Sequence, residues 1–344
     1  MLLDDPSPLV RQAMAEVFAR STDAPASIVQ ALSLDQPSVA LPVLEHSPLL
    51  IDADLVDIVA TGNGEMQCAI ARRVNLPASV CAAIAEVGSA AAALELIENA
   101  YAELAPFSWD RIVERHGHLA AIRESMLVLE GLPAATRLAL VAKLSDTLAQ
   151  FVVAKNWLSQ DRAGRLASEA RERSTVNIAA RSRGEDMQGL VHHLRVTGQL
   201  TAGLILRALL SSNLDLFDAA LAELADLPLA RVTALLHDRG GNSLHALLRR
   251  AGLPEATFAA FQVALDACHE QGFVDSDDGA VRLRRRMVER VLTHCETDRG
   301  ATEPLMVLLR RFATESAREE ARLFCDELVA DDTVDPVYDD LIAA

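Results

Sequence analysis

Apolar residues recur along this chain at the three-and-four spacing of one helix face, as in Val80, Ile84 and Val87, or Leu138, Val141 and Leu144. Many of these runs start after the same short phrase. It reads Asn75-Leu76-Pro77-Ala78-Ser79, then Gly131-Leu132-Pro133-Ala134-Ala135, Asp226-Leu227-Pro228-Leu229-Ala230 and Gly252-Leu253-Pro254-Glu255-Ala256. Weaker copies stand at Asp23-Ala24-Pro25-Ala26 and, with Thr in place of Pro, at Gln199-Leu200-Thr201-Ala202. Proline suits the first helical position, where its missing N–H costs nothing, and the leucine before it packs as a staple. Upstream of each start the pattern predicts a companion helix: 7–20, 38–45, 65–74, 89–104 and 119–129. Ser7, Ser38 and Ser89 are the expected N-caps.

The starts are periodic. Pro25 and Pro77 lie two periods of 26 apart, Thr201 and Pro228 are 27 apart, and Pro228 and Pro254 are 26 apart. Two short helices in about 26 residues cannot bury their apolar faces alone, so successive pairs must stack. The fold class expected is therefore all-α: an α-solenoid or superhelix of HEAT-like or variant leucine-rich helix pairs with a long C-terminal helix. The periodic segments divide as N-terminal repeats over 1–141 and C-terminal repeats over 198–300. Between them, 142–197 reads as a helical spacer with a charged helix at 159–178 and a short one at 187–196. After them, 301–344 reads as a long amphipathic helix over 302–329 and an acidic, mobile tail.

Composition supports helices over sheet. Gly and Pro together are 29 of 344 residues and aromatics are 4 %, so turn formers and strand formers are both scarce. The formal net charge is −17, which argues against non-specific binding to nucleic acid. The most apolar stretch, Leu200 to Leu210, is half the length of a membrane span and contains Arg207. The N-terminus has no basic segment followed by a long apolar core, so no signal peptide is expected. Five scattered cysteines, an odd number, fit reduced thiols and a cytoplasmic location.

The run Leu235-Leu236-His237-Asp238-Arg239-Gly240-Gly241, followed by Leu247 to Pro254, resembles an uncharacterised bacterial family that carries a domain of unknown function. The resemblance spans most of the chain, including the Leu-Pro starts. It implies an all-helical protein of HEAT-like character from a mainly alphaproteobacterial family, and it implies no chemistry.

Four groups of residues are candidates for a site. Arg239, Gly240, Gly241, Asn242 and Ser243 form a glycine corner before a helix, where N-terminal amides and a guanidinium could receive an anion; the same residues make an ordinary interhelix turn. Arg282, Arg284, Arg285, Arg286 and Arg290 form the strongest basic stripe, which reads as a salt-bridged face or a dock for an acidic partner. It lacks the interleaved aromatics of a single-strand binder. Cys268-His269 and His294-Cys295 could be zinc ligands only if both helix ends converged, and neighbouring residues on a helix point about 100° apart. His116 and His118 flank a glycine in a link between helices. No metal site, catalytic residue or cofactor is expected. The function expected is a non-enzymatic protein–protein interaction scaffold or regulatory adaptor, with a protein partner and self-association both open. The alternatives are a nucleic-acid binder through Arg282–Arg290 and a sensor or enzyme for a small anion at Arg239–Ser243.

Overall fold

A computed structural model of the chain describes residues 3, 5–237, 241–271, 277–297 and 302–332. It is all-α: nineteen α-helices and no strand occur among the described residues. Two compact units divide it, Met1–Arg171 and Glu172–Ala344.

The first unit opens with α1 (Pro8–Phe18), α2 (Ala26–Ser33), α3 (Pro37–His46), α4 (Asp52–Thr61) and α5 (Gly64–Ala71). It continues with α6 (Ala78–Val87), α7 (Ala90–Glu98), α8 (Pro106–His116), α9 (Ala120–Val128) and α10 (Ala134–Ala154). Packing follows the alternation that the period predicts. Helices α1, α3, α5, α7 and α9 lie side by side in one succession, and α4, α6, α8 and α10 in another. Between the layers runs one core that includes Leu32, Leu44, Ile70, Ile84, Leu96, Ile112 and Met126, all fully buried.

Polar groups stitch each repeat to the next. Arg11 clamps Asp35 through Nε at 2.6 Å and Nη2 at 3.0 Å, and Arg111 holds Glu86 through two bonds of 2.7 Å. Arg73 donates to the Leu44 and Ser47 carbonyls, Arg115 to Ala85, and Asn99 Nδ2 to Ala71 and Arg73. The partners stand 24 to 30 residues apart, so the repeat length is written into the hydrogen bonding as well as the core. These bonds satisfy carbonyls at helix ends that would otherwise be orphaned.

The helix starts differ from expectation in detail. Pro25, Pro77 and Pro133 take the N-cap position, one residue earlier than expected, with extended backbone. Their carbonyls accept the first helical N–H groups, from Val29, Cys81 and Arg137. Proline at the first turn occurs instead at Pro8, Pro37 and Pro106. Ser38 is therefore inside α3, which Gln36 precedes; Pro37, with its φ preset for a helix, takes the turn that the serine was expected to open. Ser89 does cap α7, accepting from Ala92 at 3.2 Å, and Ser7 stands at the N-cap of α1 without a side-chain bond. Helix α7 ends at Glu98 rather than running to Leu104. Asn99 leaves the helix so that its amide can reach the carbonyls of the preceding repeat.

Two glycines 26 residues apart, Gly62 and Gly88, make equivalent corners. Each follows an even-numbered helix and precedes a capping residue, Asn63 or Ser89. A methyl group added at Gly88 would sit 2.4 Å from the Ile84 carbonyl oxygen, and one at Gly62 2.6 Å from that of Ile58. Only glycine lets the chain turn so tightly past the helix end. Gly88→Ala is expected to destabilise the first unit by about 1–3 kcal/mol, read as a lower urea midpoint. An unchanged midpoint would contradict this close approach.

The second unit starts within α11 (Gln160–Arg181) and includes α12 (Gly184–Val196), α13 (Ala202–Leu210), α14 (Leu214–Ala225) and α15 (Leu229–His237). Then follow α16 (Gly241–Arg250), a 3-10 turn at Glu255–Thr257, α17 (Phe258–Gln271), α18 (Asp277–Thr297) and α19 (Glu303–Asp332). Here α13 packs on α14, α17 and α18, and the long helices α18 and α19 pair along their length. Phe217 and Phe261, with ring centroids 6.0 Å apart, are the largest fully buried side chains of its core. Asp331 and Asp332, expected in a mobile tail, continue α19; residues 333–344 lie outside the described residues.

Candidate functional sites

The basic stripe is neutralised from three directions. On α18, Arg284 pairs with Glu319 of α19 at 2.7 Å. Arg285 pairs with Glu289 on its own helix at 2.8 Å and also with Glu320 of α19. Arg290 meets Glu270 of α17 at 3.0 Å. Arg282 and Arg286 are exposed. Hydrogen bonds to carboxylates hold the Arg285 and Arg290 guanidiniums above their ordinary range and pull Glu270 below its own. Much of this positive charge is thus committed within the fold, which leaves little of it to meet phosphates.

At the glycine corner, Arg239 and Gly240 lie outside the described residues, as does the side chain of Asn242. Gly241 begins α16, and the Ser243 hydroxyl donates to the Leu235 carbonyl of α15 at 3.4 Å.

The thiols are placed for packing. Among the described residues no three His, Cys, Asp or Glu side chains come together as a metal would require. Burial pushes the Cys268 thiol up to about 11, and its Sγ faces the Leu209 carbonyl at 3.7 Å. Burial likewise raises Cys81 from 9.0 to about 11. The folded state therefore holds these protons more tightly than the unfolded chain. That contribution is intact below about pH 9 and drains away between about pH 9 and 11. At pH 8 an aromatic disulfide reagent is expected to label the exposed Cys325 first. The buried Cys81 and Cys295 should react only after unfolding; their prompt labelling in the native protein would contradict this burial.

Two arrangements escaped the sequence reading. The first is an exposed apolar cluster at the end of α10. That helix buries only Ala134, Thr136, Leu138 and Leu140, all in its first two turns. Beyond them Leu148 and Phe151, one turn apart, are 54 % and 48 % exposed, and Trp157 in the following turn is 67 % exposed. The local sequence sets this arrangement. Asn156 takes a left-handed φ of 56°, the Asn156 N–H bonds Val153 and the Trp157 N–H bonds Val152. This double closure ends a helix and brings the residue after the turn back onto its last turn. Trp157 accordingly meets Phe151 edge-to-face at 5.7 Å, and the Lys155 ammonium lies 5.8 Å from the Phe151 ring. On the other face of α10 a groove of about 480 Å³ separates it from the start of α11, lined by small residues such as Ala149, Ala154, Ala163 and Gly164 and by the polar Asp146, Gln150 and Gln160. From 142 to 171 the sequence has five basic and three acidic side chains, a positive balance in a chain of net charge −17.

The second is a buried ionic cluster in the second unit. Arg207 of α13, 7 % exposed, donates through Nη1 to both carboxylate oxygens of Glu315 on α19, at 2.9 and 3.0 Å. Its guanidinium lies 4.3 Å from the centre of the Phe312 ring, and its Nε is 3.4 Å from Glu172 of α11. Arg173 adds a bond to Glu315 at 2.6 Å. Burial pushes the Glu315 carboxyl up, but Arg207 and Arg173 outweigh it and hold its pKa below the ordinary range. The one charge inside the apolar run Leu200–Leu210 was the available signal, because a charge in a buried helix requires a partner. The partner's identity, 108 residues away, was not readable.

Residues 39–299 match the family described as uncharacterised protein conserved in bacteria, DUF2336. The match covers most of the chain, which belongs to that family. Neither the curated proteins nor the solved structures contain a match to it. Among the described residues no helix is long and apolar enough to cross a membrane.

Proposed function

We propose that the protein is a cytoplasmic, non-enzymatic interaction scaffold, and that an acidic, amphipathic segment of a partner protein docks on the α10–α11 hairpin. The observation that carries this reading is the exposed Leu148–Phe151–Trp157 cluster at the end of α10. Contiguous exposed apolar surface marks an interaction site more often than a solvated face, and tryptophan is the side chain most enriched among residues that dominate binding. The basic surplus of the hairpin, with Lys155 at the rim of the cluster, selects an acidic partner. Stacked helical repeats supply a rigid support for such a surface, an inference by analogy with other repeat proteins.

The test uses the tagged full chain as bait in host lysate, beside Trp157→Asp and Leu148→Asp baits whose circular dichroism and unfolding temperature match the parent. An acidic protein held by the parent and lost from both variants supports the reading. Retention by all three baits places the contact elsewhere and overturns it. A concentration-dependent dimer of the parent, broken by the same variants, replaces the foreign partner with a second copy.

A further inference from the structure

Nothing in the scaffold reading uses the ionic cluster of the second unit, yet that cluster contains buried donors with no acceptor. The Arg207 Nη2 group and the Arg284 Nε group are buried and make no hydrogen bond, while Arg207 Nε faces Glu172 at 3.4 Å. Arg207 itself is 93 % buried, since 7 % of it is exposed. A buried guanidinium donor without an acceptor is costly, and native proteins supply one from protein, water or ligand. These side chains line one cavity of about 30 Å³, together with Ser211, Phe312 and Ser316.

We propose that this cavity is a binding site for a small carboxylate. Three features select that class. The space suffices for about two water-sized groups, which matches the two oxygens of one carboxylate group with the rest of a small acid outside it, and is too small for a nucleotide. The unsatisfied groups are N–H donors on guanidiniums, whose planar fork suits a carboxylate. Glu315 and Glu319 also line the cavity, and their charges favour a monoanion over a phosphate dianion. The bound carboxylate accepts from Arg207 Nη2 and Arg284 Nε, and lies over the edge of the cluster that Phe312 closes on the Arg207 side. Ligand binding therefore ties α13 to α18, the elements that carry Arg207 and Arg284.

The probe is sodium acetate, with chloride and phosphate as controls at constant ionic strength and pH 7, and the readout is the unfolding temperature of the full chain. The expected result is a saturating rise with acetate, of roughly 5–10 °C at a hundredfold excess over its dissociation constant. Chloride and phosphate should show no saturating rise. Arg284→Gln, a half-buried position where the fold tolerates change more readily than at Arg207, should lose at least most of the acetate effect while keeping its helical content. No saturating acetate effect in the parent, an equal effect with chloride, or an undiminished effect in Arg284→Gln overturns the proposal and leaves the donors to ordered water.

Discussion

Arg207→Met is expected to destabilise the second unit by roughly 3 kcal/mol, which for a unit of this size lowers its unfolding temperature by about 6–12 °C. The methionine keeps the apolar stem and removes the guanidinium, with its charge, its donors and its stack on Phe312. What remains is a Glu315 carboxylate, largely enclosed, that has lost its two contacts to Arg207 and retains the one to Arg173. The cost comes from that stranded charge rather than from the lost attraction. Adding Glu315→Gln to Arg207→Met should therefore recover much of the loss. The pH dependence has a definite sign. Because the folded pKa of Glu315 lies below its unfolded value, its contribution is present above the ordinary carboxylate range and is lost as pH falls through the folded pKa. The difference between parent and Arg207→Met should shrink in acid. Calorimetry at pH 7 and near pH 3 checks both statements; a gap that widens in acid contradicts them.

Trp157→Asp is expected to weaken partner binding at least about 30-fold, the loss of roughly 2 kcal/mol that marks a dominant interface residue. Protein stability should hardly change. Trp157 is 67 % exposed in the free protein, so its replacement sacrifices only the edge-to-face contact with Phe151 that accompanies the helix end. Lys155→Glu, at the rim of the same cluster, should act differently. It should slow association several-fold and do so mainly at low salt, because rim charges steer encounter more than they hold a complex. Surface plasmon resonance of the purified pair separates the two behaviours. Equal, salt-independent losses for both variants would argue that the hairpin is perturbed as a whole.

What the sequence made legible followed from local rules. The all-α class, the alternation of helices and the period near 26 came from repeated Leu-Pro starts and apolar spacing, both short-range signals. Ser89 was readable as a cap for the same reason. The exact role of Pro77 was not, since an N-cap and a first-turn proline differ by one residue and both satisfy the local chemistry. Nor could composition show that Arg284 and Arg285 are held by Glu319 and Glu320, 35 residues further on. That pairing depends on how α18 lies against α19, a matter of tertiary register. The Arg207–Glu315 contact is longer in range still. The exposed cluster at Leu148, Phe151 and Trp157 was hidden in another way. Its apolar pattern is what a buried helix face would show, and only the packing reveals that nothing covers it.

Hydrogen exchange on the full chain, with and without the acidic partner captured by the parent bait, tests the functional reading most directly. Slower exchange on binding concentrated within residues 142–171, and absent with Trp157→Asp, is the predicted result. Protection confined to other helices, with the hairpin unchanged, would contradict the account.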